Sequence, residues 1–268
     1  MKKINKDIIK KLYFPLKRSR KYDNGVMLFL GGSKKFHGAP WFVIEVASKI
    51  LDLVFYSSVP ENNRLMQKIQ AKNPCFVPIP RKEVFEVIKE TDAILMGPGM
   101  GVSKDTKQLA NLILRKYPEK KYVLDADALR VVNLKFLNKN VIITPHYREF
   151  KFLFGKKTNH ENAKKMAKKY GCIIVLKGQK DIICSPKQCV YNTTGNQGMT
   201  KGGTGDVLAG LTVALACKND LFLSACAGTL INGLAGDSLY KKVGVYYNAL
   251  DLVNEIPRIL SFLRSKNL

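Results

Sequence analysis

Short apolar runs, each ending in a glycine-rich or charged motif and each followed by a stretch with helical spacing, recur along most of this chain. VMLFL (26–30) ends in Gly31-Gly32-Ser33, and a helical pattern opened by His37-Gly38-Ala39-Pro40 runs to about Leu51. LVFYSS (53–58) precedes a helical stretch over 61–72, and CFVPIP (75–80) has the prolines of an edge strand. After a helical stretch at 83–90, Ala93 to Met96 stops at Gly97-Pro98-Gly99-Met100-Gly101, and a helix over 104–116 leads to Tyr122–Leu124 and Asp125-Ala126-Asp127-Ala128-Leu129. Val141–Ile143 runs into Thr144-Pro145-His146-Tyr147-Arg148-Glu149, with helices to Phe154 and over 161–170, and Cys172–Leu176 ends in Lys177-Gly178. Strands that are apolar throughout and alternate with helices are buried on both sides, so the fold class expected is α/β, a mostly parallel doubly wound sheet with helices on both faces. The period then changes. Asp181–Cys184 and Gln188–Tyr191, separated by Ser185-Pro186-Lys187, predict a small antiparallel hairpin, and helices are expected near 207–217, 221–238 and 248–264.

The polar motifs GGS, GPGMG, DADAL, TPHYRE and KG all follow the carboxyl end of a predicted strand. In an open α/β sheet those ends form the rim on which ligands bind. The densest motif comes after the hairpin, where Gly202-Gly203-Thr204-Gly205-Asp206 leads directly into VLAGLTVALAC. Three glycines leave little bulk around the backbone amides, and the helix that follows adds unpaired N–H donors and the positive end of its dipole, which together make an anion cradle. Asp206 admits two roles there: a carboxylate that favours a helix start, or a general base beside a cradled phosphoryl group. His146, after Thr-Pro at a strand end, likewise fits a helix cap or a ligand contact. His37 and His160 lack comparable neighbours and read as surface. Asp125 and Asp127 are expected to divide between capping the next helix and facing a bound ligand or the core, with no metal pair between them; Asn192 and Asn196 read as turn-fixing residues, Asn196 with the alternative of holding a phosphate-bound water beside the cradle.

Composition limits the alternatives. The 268 residues carry a formal net charge of +24, which raises nucleic acid as a partner. The basic residues are spread over the chain, however, densest over residues 1–22 of a basic N-terminal segment (1–24), and no recognition helix, zinc finger or arginine–aromatic pattern accompanies them. A dedicated nucleic-acid function is therefore not expected. No apolar run matches a signal peptide or a membrane span, so a cytoplasmic protein is expected. The six cysteines show no C-x-x-C spacing and are read as buried free thiols.

The motifs, in this order, resemble those of the ADP/ATP-dependent NAD(P)H-hydrate dehydratase family: GGS with Gly-Ala seven positions on, GPGMG, DADAL, TPH-x-x-E, VLKG and GNQGMTKGGTGDVLAG. The resemblance spans about Gly25 to Leu260. It implies a ribokinase-like fold and the repair of hydrated NADH and NADPH: a nucleotide phosphorylates the hydroxyl of the hydrated ring, phosphate leaves, and the double bond returns. It further implies that Ala39, Gly101, His146 and Asp206 contact the hydrated dinucleotide, that Lys177, Gly178, Gln179, Lys180, Asp181 and Gly205 contact the nucleotide, and that Asp206 is the general base. The amides of Gly202, Gly203, Thr204 and Gly205 would form the anion hole. ADP is the donor favoured, with ATP the alternative; Mg²⁺ accompanies it, with Glu149 helping to position the ion through water. Two positions depart from the family pattern: Asp181, where a small or β-branched residue is usual, and Tyr147-Arg148, in place of Pro-Gly. The expectation is one dehydratase domain over 1–268 with no epimerase domain, forming a homo-oligomer as large as a tetramer. A ribokinase-like small-molecule kinase and a basic RNA-binding protein are the rival readings.

Overall fold

The computed structural model describes residues 1–71 and 74–265. Its ten strands are β1 (Lys2–Lys3), β2 (Val26–Leu30), β3 (Leu53–Ser57), β4 (Val77–Pro78), β5 (Ala93–Met96), β6 (Lys121–Leu124), β7 (Val141–Ile143), β8 (Ile173–Leu176), β9 (Asp181–Cys184) and β10 (Cys189–Asn192). They form one sheet in the order β1-β10-β9-β8-β7-β6-β5-β2-β3-β4. From β4 to β8 every pairing is parallel; β9 runs antiparallel to both β8 and β10, which is the expected hairpin. The chain winds outward from β2 through β3 to β4, returns to β5 on the other side of β2, and then winds the opposite way. That reversal puts a topological switch point between the ends of β2 and β5, where an open α/β sheet has a crevice for a ligand.

The helices are α1 (Gly38–Ala47), α2 (Pro60–Gln70), α3 (Val84–Glu90), α4 (Lys104–Lys116), α5 (Ala128–Val131), α6 (Tyr147–Phe154), α7 (His160–Tyr170), α8 (Thr204–Lys218), α9 (Leu221–Val243) and α10 (Ala249–Ser265). Strand alternation sorts them into two layers. Met27, Phe29, Leu95, Val123 and Ile142 face a core shared with α1, α8, α9 and α10. Their neighbours Leu28, Leu30, Ile94, Leu124 and Ile143 face a second core built with α3 to α7. Both faces are dry, which explains the unbroken apolar strands. Helix α8 is buried along nearly all of its length against the sheet, α1 and α9, so the segment carrying the glycine motif is also the most enclosed helix of its layer.

Several expectations change. Helix α1 stops at Ala47 rather than Leu51, and the last position of the stretch expected over 61–72 lies outside the described residues. Helix α8 starts at Thr204, so Thr204, Gly205 and Asp206 form its first turn rather than the loop before it. The basic N-terminal segment is built into the fold: Lys2–Lys3 closes the sheet edge beside β10, and Ile4, Ile9 and Leu12 are buried. The reading of six buried free thiols is corrected at three positions. The hairpin register places Cys184 directly opposite Cys189 with 4.2 Å between Cα atoms, and the two form a disulfide. Cys75 is exposed; Cys172, Cys217 and Cys226 are buried and free.

Candidate active site at the carboxyl rim of the sheet

The strand-end motifs converge along one rim. At the switch point, the Gly32 amide donates to Pro98 O at 2.9 Å, which ties the loop after β2 to the loop after β5. The glycines here answer to close approach. A Cβ on Gly97 (φ +128°) would lie 1.7 Å from the carbonyl oxygen of Asp125, and one on Gly99 (φ +65°) would press on Phe36 and Ala39. Ala39 thus packs beside Gly99, and Ser33 beside Gly101, along this loop pair. The loop leaving β2 is fixed from beneath by Asn62, fully buried, whose amide donates to Ser33 O and Phe36 O and bonds His37 Nδ1 at 2.9 Å. His37 is therefore a partnered residue, not plain surface.

Asp127 stands at the cap position of α5, yet its side chain caps nothing there; it accepts from the Gly101 amide at 2.8 Å. Asp125, 2% exposed, accepts from Thr144 Oγ1 and from the Lys177 ammonium, both at 2.7 Å. Lys177 reaches this position because β8 ends beside the loop after β7, where His146 and Lys177 form a parallel bridge and the Lys177 amide donates to Pro145 O. Its ammonium lies 3.7 Å from where a Cβ on Gly205 would be. Burial opposes the charge on Lys177, but the carboxylates of Asp125, Glu149 and Asp206 outweigh it and hold the proton more firmly than usual.

Gly203, with φ +94°, turns the chain into α8, and no side chain caps the helix. Its first-turn amides point outward as helix geometry requires, and the Thr204 amide reaches back to Lys201 O only at 3.5 Å. The Thr204 hydroxyl is committed to Met199 O and Lys201 O, so of Thr204 only the backbone can serve an anion hole. The turn is braced from outside: Lys201 Nζ donates to Val245 O and Tyr247 O, and the Tyr247 hydroxyl donates to Asn196. Asp206, half-buried in the third helical position, has its carboxyl pushed up from 3.8 to about 7. Burial is the main cause, the like charge of Asp125 adds to it, Lys177 opposes, and Asp127 contributes least.

His146 fills the capping role open to it in the sequence. Its Nδ1 accepts from the amides of Arg148 and Glu149, while Glu149 Oε2 accepts from the His146 amide, a reciprocal cap for α6. With Nδ1 accepting, the neutral ring carries its proton on Nε2, and the side chain is 46% exposed on the rim. The cap explains why Tyr147-Arg148 is tolerated: the two residues form the first turn of a regular helix and bond each other through Arg148 Nε. Asp181 also has a structural task, accepting from the Gly178 amide at 3.0 Å and from Asn192 Nδ2 at 3.2 Å, so it fixes the turn after β8. Gln179 and Lys180 are exposed on that turn, with the Lys180 ammonium 3.7 Å from the ring centre of Tyr191. Among the described residues no three His, Cys, Asp or Glu side chains converge to hold a metal ion, and no helix is long and apolar enough to cross a membrane.

The sequence reading missed the central ion pair, Asp125 with Lys177. Both residues were in view as parts of separate motifs, and the only signal available was that each follows the carboxyl end of a strand.

The three-layer α/β architecture, with its polar residues on the carboxyl rim and a helix N-terminus at that rim, is that of the ribokinase-like fold. Solved structures agree: a ribokinase-like superfamily protein from Enterococcus faecalis has a TM-score of 0.88 at 23% identity, covering 98% of this chain and 96% of that one. An ADP/ATP-dependent NAD(P)H-hydrate dehydratase from Bacillus subtilis, co-crystallised with ATP and Mg²⁺, has a TM-score of 0.81 at 23% identity, covering 98% of each chain. The chain belongs to the NAD(P)H-hydrate dehydratase family, whose model matches residues 27–258. An ADP-dependent (S)-NAD(P)H-hydrate dehydratase from Nitrosopumilus maritimus is 34% identical over 91% of each protein. A bifunctional NAD(P)H-hydrate repair enzyme from Methanocaldococcus jannaschii is 41% identical over 98% of this chain and 57% of its own length. The chain spans about half the length of such bifunctional relatives.

Proposed function

We propose that this protein is an ADP-dependent dehydratase that returns the (S)-hydrates of NADH and NADPH to the reduced cofactors, with residues 1–268 acting as one catalytic unit in a cytoplasmic setting. The observation that carries the reading is the half-buried Asp206 in the first turn of α8, beside the Gly203–Gly205 backbone and the Lys177 ammonium. A carboxylate with a proton affinity near neutrality is matched to taking a proton from an alcohol. The helix end next to it is matched to the phosphoryl group that alcohol attacks.

In this mechanism the hydrated nicotinamide ring occupies the rim near Ala39 and Gly101, where small residues let the backbone approach it closely. His146 Nε2–H donates to the dinucleotide from the adjacent rim. Asp206 accepts the ring hydroxyl proton as the oxygen takes the terminal phosphoryl group, whose bond to the next phosphate breaks so that the nucleotide leaves one phosphate shorter. The amides of Gly202 to Gly205 together with Lys177 meet the charge that develops on the transferred group. The transfer turns hydroxide, a poor leaving group, into phosphate, a good one. The ring nitrogen's lone pair then expels it to leave an iminium, and loss of a proton from the adjacent ring carbon restores the double bond.

Mg²⁺ fits as an ion carried mainly by the nucleotide phosphates, since magnesium keeps several waters and needs few carboxylates. Glu149, with Oε2 committed to the α6 cap, would reach it through water. Bound there, the ion would screen the phosphates.

The test is to incubate the protein with hydrated NADH, Mg²⁺ and either ADP or ATP, following the reduced-nicotinamide absorbance and free phosphate together. Recovery of absorbance with one phosphate released per ring, favouring ADP, supports the reading. No recovery with either donor removes it, and a retained phosphoester identifies a kinase instead.

A further inference from the structure

Lys177 sits among three carboxylates and is hydrogen-bonded to the one that lies deepest. Asp125 holds it at 2.7 Å and is itself held at 2.7 Å by the Thr144 hydroxyl. The main-chain carbonyl of the same aspartate faces Gly97, where no side chain fits, and the Asp125 amide donates to Met96 O at 3.1 Å. Asp125 is thus locked by its backbone and by its side chain. It sits two residues before Asp127, whose carboxylate is spent on the Gly101 amide.

We propose that Asp125 is a positioning residue for the reaction: by holding the Lys177 ammonium at the end of β6, it keeps that cation beside Gly205 and off the carboxylate of Asp206. The inference rests on the dehydratase reading above. A base that is paired directly with a cation is a weak base, because the proton it accepts must displace that cation. A cation held by another carboxylate a short distance away avoids this cost and remains available to the phosphoryl oxygens. The arrangement separates two demands that one lysine would otherwise set against each other.

The groups facing Asp206 are Asp125 and Asp127 from the loop after β6 and Lys177 from the end of β8; those facing Lys177 also include Glu149 from α6. Replacing Asp125 by Asn removes a negative charge near Asp206 and releases Lys177 toward it. Both changes act in the same direction, favouring the ionised base. Replacing Lys177 by Gln acts in the opposite direction.

The experiment measures kcat/KM against pH for the wild type, Asp125→Asn, Lys177→Gln and the double variant, with each variant's fold verified by thermal melting. The nucleotide's own titration is common to all of them and cancels in the comparison. The acidic limb is expected to move down by about one pH unit or more in Asp125→Asn, as a freed opposite charge requires, with a lower plateau and an unchanged KM for hydrated NADH. In Lys177→Gln the limb is expected to move up. The shift in Asp125→Asn is expected to shrink by more than half when Lys177→Gln is added, because no cation is then left to move. A limb that stays in place in the folded variants, or a shift undiminished in the double variant, overturns the inference, since loss of the Asp125 charge alone acts on Asp206 without Lys177. If Asp125→Asn does not fold, Asp125→Glu takes its place: it keeps the charge near Asp206 and displaces the carboxylate that holds Lys177, and a limb and plateau equal to the wild type's overturn the inference. An inactive wild type instead removes the dehydratase reading, so the two failures are distinct.

Discussion

Replacing Asp206 by Asn should stabilise the ligand-free protein, and only on the alkaline side. In the folded state the carboxyl titrates at about 7 against 3.8 for an ordinary aspartate, so the folded state binds this proton more tightly than the unfolded chain does. The contribution to stability is complete below the unfolded value, falls as pH rises toward 7, and stays lost above it. The gap of about three units corresponds to roughly 4 kcal/mol at 1.36 kcal/mol per unit. Partial exposure of the side chain screens that penalty, and about 2 kcal/mol is the working figure. Most of it opens between about pH 4 and pH 7, the interval between the two values. Asparagine carries no charge to bury at any pH, so its melting temperature should exceed the wild type's at pH 8 by about 4–8 °C, taking about 2–4 °C per kcal/mol for a domain of this size. The advantage should shrink to a fraction of that at pH 5. Thermal unfolding of both proteins across that range, without nucleotide, is the assay. A difference that is independent of pH, or a variant less stable at pH 8, would refute the argument that burial strains this carboxylate.

Gly97→Ala should fail to give folded protein, because its Cβ would meet the Asp125 carbonyl at 1.7 Å at a φ of +128°; soluble yield and circular dichroism check this. Gly205→Ala, whose Cβ would make an ordinary 3.7 Å contact with Lys177 Nζ, should fold with a melting temperature within a few degrees of wild type while turnover falls at least tenfold. Asp181→Ala should release the turn after β8 by removing the acceptor of the Gly178 amide. It should raise the KM for nucleotide several-fold and leave that for hydrated NADH unchanged in steady-state assays.

The strand-and-helix alternation was legible because burial on both faces leaves unbroken apolar strands, and Val26–Leu30 or Ala93–Met96 can hardly be read otherwise. The rim was legible for a related reason: glycines and charges cluster where a strand must stop and the chain must turn. Pairing across the rim was not. Asp125 and Lys177 lie 52 residues apart, and nothing in either motif says that the ends of β6 and β8 bring them within 2.7 Å. Lys2 and Lys3 look like a charged tail until the unpaired edge of β10 gives their backbone a partner. The spacing of Cys184 and Cys189 becomes a bond only when the hairpin register sets them opposite each other. His146 was legible only as a choice between cap and ligand, and the fold shows the cap: its Nδ1 accepts from the first turn of α6, and its Nε2 lies 3.6 Å from Glu149 Oε1.

The central claim, that the Asp206 carboxylate activates the ring hydroxyl for phosphorylation, is tested most directly by single-turnover reaction of Asp206→Asn with saturating hydrated NADH, nucleotide and Mg²⁺, with binding of both ligands measured calorimetrically on the same sample. The account predicts near-native affinities with phosphoryl transfer slowed by roughly a hundredfold or more, the scale of a lost general base. Transfer at the wild-type rate in a variant that binds both ligands would contradict it.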